Sequence, residues 1–255
     1  MLHDLTEGAL EDAKARQHVV PLSELEARAR AARPVRGFPP AELEGVGVIA
    51  EIKRKSPSKG ELADIPDPVW LAREYESGGA TAISVLTEGR RFGGSLEDLQ
   101  AVSDAVRIPV LRKDFISDPY QVVEARAYGA DIILLIMAAL DDDTVNQLAT
   151  LAQSWGMAVL VEVHSADELA RALALGASVI GVNARDLTTF ETDKALFGTL
   201  RGQIPGGVFV IAESAVSHPD DVSRYREQGA DAVLVGEALV TGENPQETVR
   251  EYRHA

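Results

Sequence analysis

Charged side chains interrupt stretches of the sequence that otherwise have the composition of buried strands. In the segment VIAEIKRKSPSKG, Glu51 and Lys53 lie among aliphatic residues. Residues i and i+2 of a strand share a face, so Glu51 and Lys53 should point the same way. A carboxylate and an ammonium group on one buried face can transfer protons, hold an anion or stabilise developing charge. This pair is therefore a candidate for catalysis or binding.

Four further aliphatic segments carry polar residues near their carboxyl ends. The same alternation predicts that the following residues face inward with the first pair: Leu111 and Lys113 in PVLRKDF, Leu160 and Glu162 in AVLVEVH, Gly181, Asn183 and Arg185 in VIGVNAR, and Ala212 and Ser214 in VFVIAES. One such residue alone would most simply be a solvated rim residue or half of an ion pair. Burying charges is costly unless they are paired, so their recurrence on several strands indicates a functional site.

The elements that must position these residues form a repeating pattern. Amphipathic stretches end at Gly-Ala pairs, at 79–80, 129–130, 176–177 and 229–230, and a short aliphatic run follows each pair. Glycine closes a helix in a left-handed C-terminal turn, so each pair marks a junction between a helix and a strand. Together with four similar runs, the sequence predicts eight strands, which begin near residues 48, 82, 109, 132, 158, 179, 208 and 232.

The spacing of these strands, about 26 residues on average, suits successive βα units. Strands that are apolar on both faces are typical of a parallel sheet covered by helices. We therefore predict an α/β fold, a single (β/α)8 TIM barrel over residues 1–255 in which residues 1–47 form an N-terminal helical extension. The extension could cover the barrel floor, fold over the site or make a dimer contact. The alternative is an open doubly wound sheet, but the first strand is followed by KSPSKG and not by a glycine-rich fingerprint.

Composition and charge restrict the classes of partner. The 255 residues carry a net charge of -15, which repels phosphate backbones and anionic lipid surfaces, so we expect no nucleic-acid or membrane partner. The chain has no cysteine, and its five histidines show no spacing typical of metal ligands, so we expect no metal site. The longest apolar run, residues 132–140, is much shorter than a span of about 20 residues, and the N-terminus lacks a signal-peptide pattern. We therefore expect a cytoplasmic protein.

Seven motifs, one at each of seven strand ends, resemble the indole-3-glycerol-phosphate synthase family of tryptophan biosynthesis. They are AEIKRKSPSKG, LTEGRRFGGS, VLRKDF, LVEVH, GVNARDL, IAES and VLVGEAL, and the resemblance extends from about Val48 to Leu239. It implies a carboxy-lyase that needs no cofactor. In the implied reaction, 1-(2-carboxyphenylamino)-1-deoxyribulose 5-phosphate closes its pyrrole ring, loses carbon dioxide and water, and becomes indole-3-glycerol phosphate. The partner is then a phosphorylated small molecule, and the chain should be a monomer or a weak homodimer.

This reaction suggests catalytic roles for the charged residues. The ring carbon that bears the carboxylate attacks the ketone, whose oxygen must gain a proton, and Lys113 could donate it. Glu162 or Glu51 could stabilise the positive charge that develops before decarboxylation. Lys53, Glu51 and Glu162 could supply the acid and the base of dehydration between them. The division of these roles stays open, because opposite charges at short range hold one another ionised.

The resemblance also suggests contacts for each part of the substrate. Candidate substrate-binding residues are Ser56, Asn183, Arg185, Glu213 and Ser214 for its polar groups, and Phe92, Phe115, Leu134 and Leu187 as an apolar wall for its ring. For Leu134, a role in core packing fits the sequence as well as a role in binding the ring. The phosphate should bind after strands 7 and 8, where backbone N–H groups point outward, to Lys53, Ala215, Gly236 and Glu237. Members of the family usually have glycine where this chain has Ala215.

Two other functions fit a barrel with an inward-facing lysine. A class I aldolase acting on a phosphosugar would use Lys113 to form a Schiff base instead of donating a proton. A regulatory barrel could bind a phosphorylated ligand without chemistry. A related isomerase of the same pathway typically relies on a cysteine as general base, and this chain has none.

Overall fold

The barrel of the computed structural model, which describes residues 1–57, 59–186 and 191–255, is closed and consists of eight parallel strands. We number them β1 (Gly47–Ile52), β2 (Ala82–Leu86), β3 (Val110–Lys113), β4 (Ile132–Ile136), β5 (Ala158–Val163), β6 (Val179–Asn183), β7 (Phe209–Glu213) and β8 (Ala232–Val235). Each strand pairs with its neighbours in sequence, and β1 pairs with β8 to close the barrel. Each begins within one residue of its predicted start, and the predicted (β/α)8 fold is confirmed.

Among the described residues, a helix lies between each pair of successive barrel strands, two further helices precede β1, and two follow β8. The helices are α1 (Leu2–Val19), α2 (Leu22–Ala31), α3 (Pro68–Ser77), α4 (Leu96–Ala105), α5 (Pro119–Ala127), α6 (Asp142–Ser154), α7 (Ala166–Ala174), α8 (Leu196–Arg201), α9 (Pro219–Glu227), α10 (Glu237–Val240) and α11 (Pro245–His254). Side chains such as Ser95, Asp141 and Ser165 accept N–H groups of the first helical turn, which explains where those helices begin. The glycines of the four Gly-Ala junctions have φ angles between 76° and 92°, as the left-handed helix ends require. None of the helices in the described ranges is long and apolar enough to cross a membrane.

Two hydrophobic cores lie on opposite faces of the strands. The outer core packs between strands and helices, whereas the inner core fills the barrel with residues that include Ile49, Leu111 and Leu160. The predicted inward face is therefore confirmed for β1, β3 and β5. It also holds for β6, because Val179 lies in the inner core and starts the alternation that leads to Asn183.

The predicted inward face of β7 is wrong. Ile211 belongs to the inner core and Ala212 to the outer core, so the residue at the strand end that extends inward is Glu213 and not Ser214. The strand ends at Glu213, and Ser214 and Ala215 both have left-handed backbone conformations, with φ angles of 67° and 59°. The two-residue alternation of a strand does not continue through such a turn. Ser214 reaches the site through the turn.

The N-terminal extension contacts both ends of the barrel. Leu5 of α1 packs with Phe115 in the inner core, next to the carboxyl ends of the strands. Arg90, in the loop after β2, ties α1 to the same end through an ion pair of 2.6 Å with Asp12. At the opposite end, the ring of Phe38 packs edge-on against Phe209, with centroids 5.4 Å apart. The extension therefore contacts both the mouth and the floor of the barrel.

Candidate active site

Two adjoining cavities open at the carboxyl ends of the strands. The first has a volume of about 750 Å³, and among its lining residues are Glu51, Lys53, Ser56, Phe92, Lys113, Phe115, Leu134, Glu162, Asn183, Arg185 and Ser214. The second has about 1160 Å³, shares several of these residues and Glu237 with the first, and adds Glu213, Ala215 and Gly236. Every predicted site residue lies on one of the two cavities except Leu187, which is outside the described residues.

Lys113 occupies the centre of a cluster of carboxylates. Its Nζ lies 3.5 Å from Glu213 Oε2, 3.6 Å from Glu162 Oε2 and 3.9 Å from Glu51 Oε2. The lysine side chain is 17% exposed and each glutamate side chain at most 4%, so these charges act with little screening by water. Burial by itself would lower the pKa of Lys113, but the three glutamates raise it above its ordinary value. Lys113 is therefore protonated at neutral pH and can donate a proton.

Both carboxylate oxygens of Glu51 have partners. Lys53 Nζ lies 2.9 Å from Oε1, and Ser84 Oγ donates to Oε2 at 3.1 Å. Burial by itself would raise the pKa of Glu51, but the charges of Lys53 and Lys113 lower it below its ordinary value. A Cβ atom at Gly236 would lie 2.7 Å from Glu51 Oε1, so the glycine makes room for this ion pair. Glu51 is thus a fixed carboxylate.

Glu162 and Glu213 are buried together but differ in charge. Burial raises the pKa of both, yet Lys113 and His164 lower the pKa of Glu162 below its ordinary value. At Glu213, burial and the negative charge of Glu162 both raise the pKa. The charge of Lys113 lowers it only in part, and the pKa rises to about 8. At neutral pH the site therefore holds Glu162 as a carboxylate and Glu213 as a neutral acid.

Three oxygen atoms of this pair are buried without a hydrogen-bond partner in the described part of the chain. They are Oε2 of Glu162 and both oxygens of Glu213. A buried polar atom without a partner is costly, and such atoms are found where a ligand or water completes the site. A Cβ atom at Gly181 would lie 2.0 Å from Glu213 Oε1, so the inward glycine of β6 creates the space for the Glu213 carboxyl.

Sequence reasoning missed the part that His164 plays at this site. It considered the histidines only as metal ligands, and the structure places His164 Nε2 3.2 Å from Glu162 Oε1. The available signal was the spacing in AVLVEVH, because residues 162 and 164 share a face of the strand. Within the described ranges, no group of three or more histidine, cysteine, aspartate and glutamate residues could hold a metal ion.

An apolar wall lies beside the charged cluster. The rings of Phe92 and Phe115 are 6.0 Å apart between centroids, and Leu134 is buried next to them in the inner core. The buried carboxylate of Glu88 accepts the backbone N–H groups of Arg91 at 2.7 Å and Phe92 at 2.9 Å, which fixes the loop that carries the ring. A planar aromatic group can therefore pack in the cavity beside Lys113.

The opposite side of the cavity is polar and lined by backbone. Ser214 Oγ donates to Asn183 Oδ1 at 2.7 Å, and the backbone N–H of Arg185 donates to the same oxygen at 3.0 Å. Gly236 precedes the short helix α10, and the carboxylate of the next residue, Glu237, is paired with Lys59. This pairing reduces the repulsion that Glu237 would exert on an anion, and the first N–H groups of α10 point away from the helix.

The fold and the site together define a (β/α)8-barrel protein with its charged groups at the carboxyl ends of the strands, where such barrels carry their chemistry. Similar folds occur in 3-hexulose-6-phosphate synthase from Salmonella typhimurium, which is 18% identical over 82% of this chain and 97% of that chain, with a TM-score of 0.67. Thiamine phosphate pyrophosphorylase from Pyrococcus furiosus is 16% identical over 82% of this chain and 94% of that chain, with a TM-score of 0.62. At these identities the similarity shows the fold alone.

The family follows from sequence similarity. The model of the family described as indole-3-glycerol phosphate synthase matches residues 2–252. The indole-3-glycerol phosphate synthase of Leifsonia xyli is 57% identical over 257 residues, which cover 99% of this chain and 98% of that protein. The corresponding protein of Kineococcus radiotolerans is 55% identical and covers 98% of this chain and 93% of that protein. The chain belongs to the indole-3-glycerol phosphate synthase family, and the predicted reaction and carboxy-lyase class are confirmed with it.

Proposed function

We propose that the chain carries out the indole-3-glycerol phosphate synthase reaction in the cavity around Lys113, with the residues of that cavity in defined roles. The observation that supports this proposal most directly is the position of Lys113, whose Nζ lies within 3.9 Å of the buried carboxyl groups of three glutamates and beside an apolar wall. A protonated lysine and ionised glutamates are the groups that ring closure, decarboxylation and dehydration need.

In the first step, Lys113 acts as the general acid. The ring carbon that bears the carboxylate forms a bond to the ketone carbon, and the ketone oxygen takes the proton from Nζ. Lys113 becomes a neutral amine, and the anilino system becomes positively charged. The carbon–carbon bond to the carboxylate then breaks, carbon dioxide leaves, and the electron pair returns to the ring. The raised pKa of Lys113 disfavours the aldolase alternative, because a Schiff base requires a neutral amine as nucleophile.

The two ionised glutamates take different roles. Both oxygens of Glu51 are engaged, by Lys53 and Ser84, so Glu51 stabilises the positive charge without moving a proton. Oε2 of Glu162 is buried without a hydrogen-bond partner among the described residues and lies 3.6 Å from Lys113 Nζ. Glu162 is therefore the base that removes the ring proton in dehydration. Lys53 supplies the proton for the departing hydroxyl.

The substrate lies across the mouth of the barrel. Its aromatic ring packs on the wall formed by Phe92, Phe115 and Leu134, while Ser56, Asn183, Arg185 and Ser214 lie where its ribulose chain and carboxylate pass. Its phosphate binds between Lys53, the turn at Ala215 and the start of α10 at Gly236 and Glu237. The net charge of -15 does not prevent this binding, because bulk charge is screened over about 8 Å, whereas these donors act at contact distance.

The remaining features of the chain are part of the same proposal. We propose that residues 1–255 form a single domain, with residues 1–47 as its helical extension, and that the chain acts as a monomer or weak homodimer in the cytoplasm. It requires neither a metal nor a cofactor, since the carboxylates of the site have Lys53 and Lys113 as counter-charges.

The test is incubation of the purified chain with 1-(2-carboxyphenylamino)-1-deoxyribulose 5-phosphate while the fluorescence of the indole product is followed. We expect turnover that survives exhaustive treatment with EDTA. Borohydride added during turnover should leave Lys113 unmodified. Absence of the indole product would overturn the proposed reaction. Loss of activity in EDTA with recovery on adding a divalent cation would reassign Glu51 and Glu162 as metal ligands, and trapped substrate on Lys113 would favour the Schiff-base mechanism.

A further inference from the structure

His164 lies between two carboxylates at the end of β5. Its Nε2 is 3.2 Å from Glu162 Oε1, and its Nδ1 is 3.3 Å from Glu168 Oε2. The imidazole is only 10% exposed, so both contacts are largely removed from water. An imidazole with a carboxylate at each ring nitrogen has its rotation and its protonation defined from both sides.

Glu168 is itself fixed by the start of α7. The Ser165 side chain accepts the backbone N–H of Glu168 at 3.2 Å, and its hydroxyl donates to Glu168 Oε1 at 3.2 Å. The other oxygen, Oε2, accepts the backbone N–H of His164 at 2.8 Å. Glu168 thus has one oxygen for the helix cap and one for His164, and it holds the imidazole in a single position.

The two oxygens of Glu162 face different cations. Oε1 is next to His164 Nε2, and Oε2 is next to Lys113 Nζ at 3.6 Å. His164 therefore forms an ion pair with one oxygen, although its Nε2 makes no hydrogen bond among the described residues, and the other oxygen lies on the Lys113 side. We propose that His164 is a positioning residue that, through the line Glu168–His164–Glu162, keeps Glu162 ionised and aims its free oxygen at the substrate. This inference rests on the proposed role of Glu162 as a base.

The electrostatics of the surrounding groups agree with this geometry. Burial by itself would lower the pKa of His164, but the carboxylates of Glu162 and Glu168 raise it to about 10, so the ring carries a positive charge at neutral pH. Glu162 also faces Lys113 from β3, which lowers its pKa, and the acid Glu213 from β7. Removing the imidazolium takes away one of two cations, so the pKa of Glu162 must rise.

The first test compares the pH dependence of turnover in His164→Gln and Glu168→Gln with that of the wild-type chain. In His164→Gln we expect kcat at neutral pH to fall about tenfold while KM changes less than about twofold, since positioning of a base affects the chemical step. We also expect kcat of the variant to fall at acid pH where that of the wild-type chain does not. The reason is that the pKa of a carboxylate rises by roughly 1–3 units when a neighbouring cation is removed. Glu168→Gln, which keeps the imidazole, should show a smaller change of the same sign.

The matched control is His218→Gln, which removes an exposed histidine at the start of the barrel helix α9. It should leave kcat and its pH profile unchanged. Two results would overturn the proposal: a kcat of His164→Gln that is reduced by the same factor at every pH, or one with the wild-type pH dependence at acid pH. A role in packing alone would not change the pH dependence of kcat.

A second measurement is made on the wild-type chain, and His164→Gln serves only to assign the signal. Nitrogen-15 NMR of the wild-type chain labelled at histidine should show one imidazole that stays doubly protonated up to about pH 9, and this signal should be missing in His164→Gln. Titration of His164 near its ordinary value of about 6.5 would overturn the proposal. That result is distinct from a failure of the proposed function, which would be seen as absence of turnover in the wild-type chain.

Discussion

Two adjacent cations at the end of β3, Arg112 and Lys113, are both buried among carboxylates but are paired in different ways. Arg112 faces the helices, with Nη2 2.9 Å from Asp114 Oδ2 and Nη1 3.0 Å from Glu124 Oε2. Lys113 faces the barrel interior, and its three carboxylates lie at 3.5 to 3.9 Å. The same local sequence thus places one cation in direct hydrogen bonds and the next in a looser cluster.

The pairing around Arg112 extends to the neighbouring elements. Arg112 Nη1 donates to the carbonyl of Gln121 in α5 at 2.9 Å, and Arg112 Nε donates to Thr87 Oγ1 at 3.1 Å. Glu124 also accepts two hydrogen bonds from Arg16 of α1, at 2.6 and 2.8 Å. These contacts tie α1 and α5 to the strand that carries Lys113. The Arg112 cluster is complete within the protein and acts as a structural support.

The Lys113 cluster is incomplete within the described residues, since three of its carboxylate oxygens are buried without a hydrogen-bond partner. Such atoms lower stability unless a ligand or water contacts them. The comparison teaches that burial and opposite charge do not by themselves distinguish a support from an active site. For these two clusters, the difference lies in the hydrogen bonds of the carboxylates and in the cavity, which Lys113 lines and Arg112 does not.

The largest effect should come from replacing Lys113 with alanine. Loss of a general acid is expected to lower kcat by a factor of about 10²–10⁴, while the circular dichroism spectrum stays native. Lys113→Arg is the matched control for charge, because it keeps the cation but replaces the compact ammonium group with a larger planar guanidinium, and it should also be impaired. Substantial turnover in folded Lys113→Ala would remove this residue from the mechanism.

Replacing Arg112 with methionine should lower stability strongly and kcat only slightly. Removing one partner of a buried ion pair leaves Asp114 and Glu124 without their cation and should lower the free energy of unfolding by about 3–5 kcal/mol. Urea unfolding followed by circular dichroism measures this change. The kcat of the molecules that stay folded should fall much less than in Lys113→Ala. An Arg112→Met variant as stable as wild type would show that the Arg112 cluster is not the support inferred above.

Glu213 should make the stability of the Lys113 cluster depend on pH. Burial and the charge of Glu162 raise the pKa of Glu213 from its ordinary value of 4.5 to about 8. The folded chain therefore binds the proton more tightly than the unfolded chain, and stability is lost as pH rises from about 4.5 through about 8. Glu213→Gln removes this loss, so its unfolding free energy relative to wild type should improve by up to a few kcal/mol across that window. An equal pH dependence of unfolding in the two proteins would contradict the raised pKa.

The smallest effect should come from Ala215→Gly at the proposed phosphate end of the site. Ala215 has a φ of 59°, a conformation that costs a residue with a Cβ atom roughly 1 kcal/mol relative to glycine. The free energy of unfolding, measured in urea, should increase by about this amount. The gain is reduced because glycine also increases the conformational entropy of the unfolded chain. The KM for the substrate should stay the same or fall slightly. A variant less stable than wild type would show that the methyl group of Ala215 packs favourably enough to offset the strain.

The structure also changes the design of one test of phosphate binding. Valine at Gly236 would crowd the backbone near the proposed phosphate position, but a Cβ atom there would also lie 2.7 Å from Glu51 Oε1 and 3.2 Å from Lys53 Nζ. A rise in KM and a fall in kcat are then expected together. Ala215 is the cleaner position, because its replacement by glycine removes a methyl group and adds no atom near the Glu51–Lys53 pair.

Much of the fold and part of the site could be predicted from local patterns. Glycine at the helix ends and aliphatic runs between them indicated eight strands, since these features depend only on neighbours in sequence. Alternation along β1, β3 and β5 correctly placed Glu51, Lys113 and Glu162 on the inner face. The prediction failed at β7, where the polar pair Glu213-Ser214 does not reveal which member ends the strand. Glycine at 181 was a usable signal, because its space is taken by the Glu213 side chain.

The sequence by itself determined the barrel, its family and the set of charged residues at the strand ends. Only the tertiary structure decided which of them meet: that Glu213 joins Lys113, that His164 contacts Glu162, and that Arg112 pairs with Glu124. The physical reason is that strand and helix patterns depend on residues a few positions apart, whereas ion pairs depend on distances between distant segments. Register and barrel closure set those distances, and they separate the hydrogen-bonded Arg112 from Lys113, the proposed general acid.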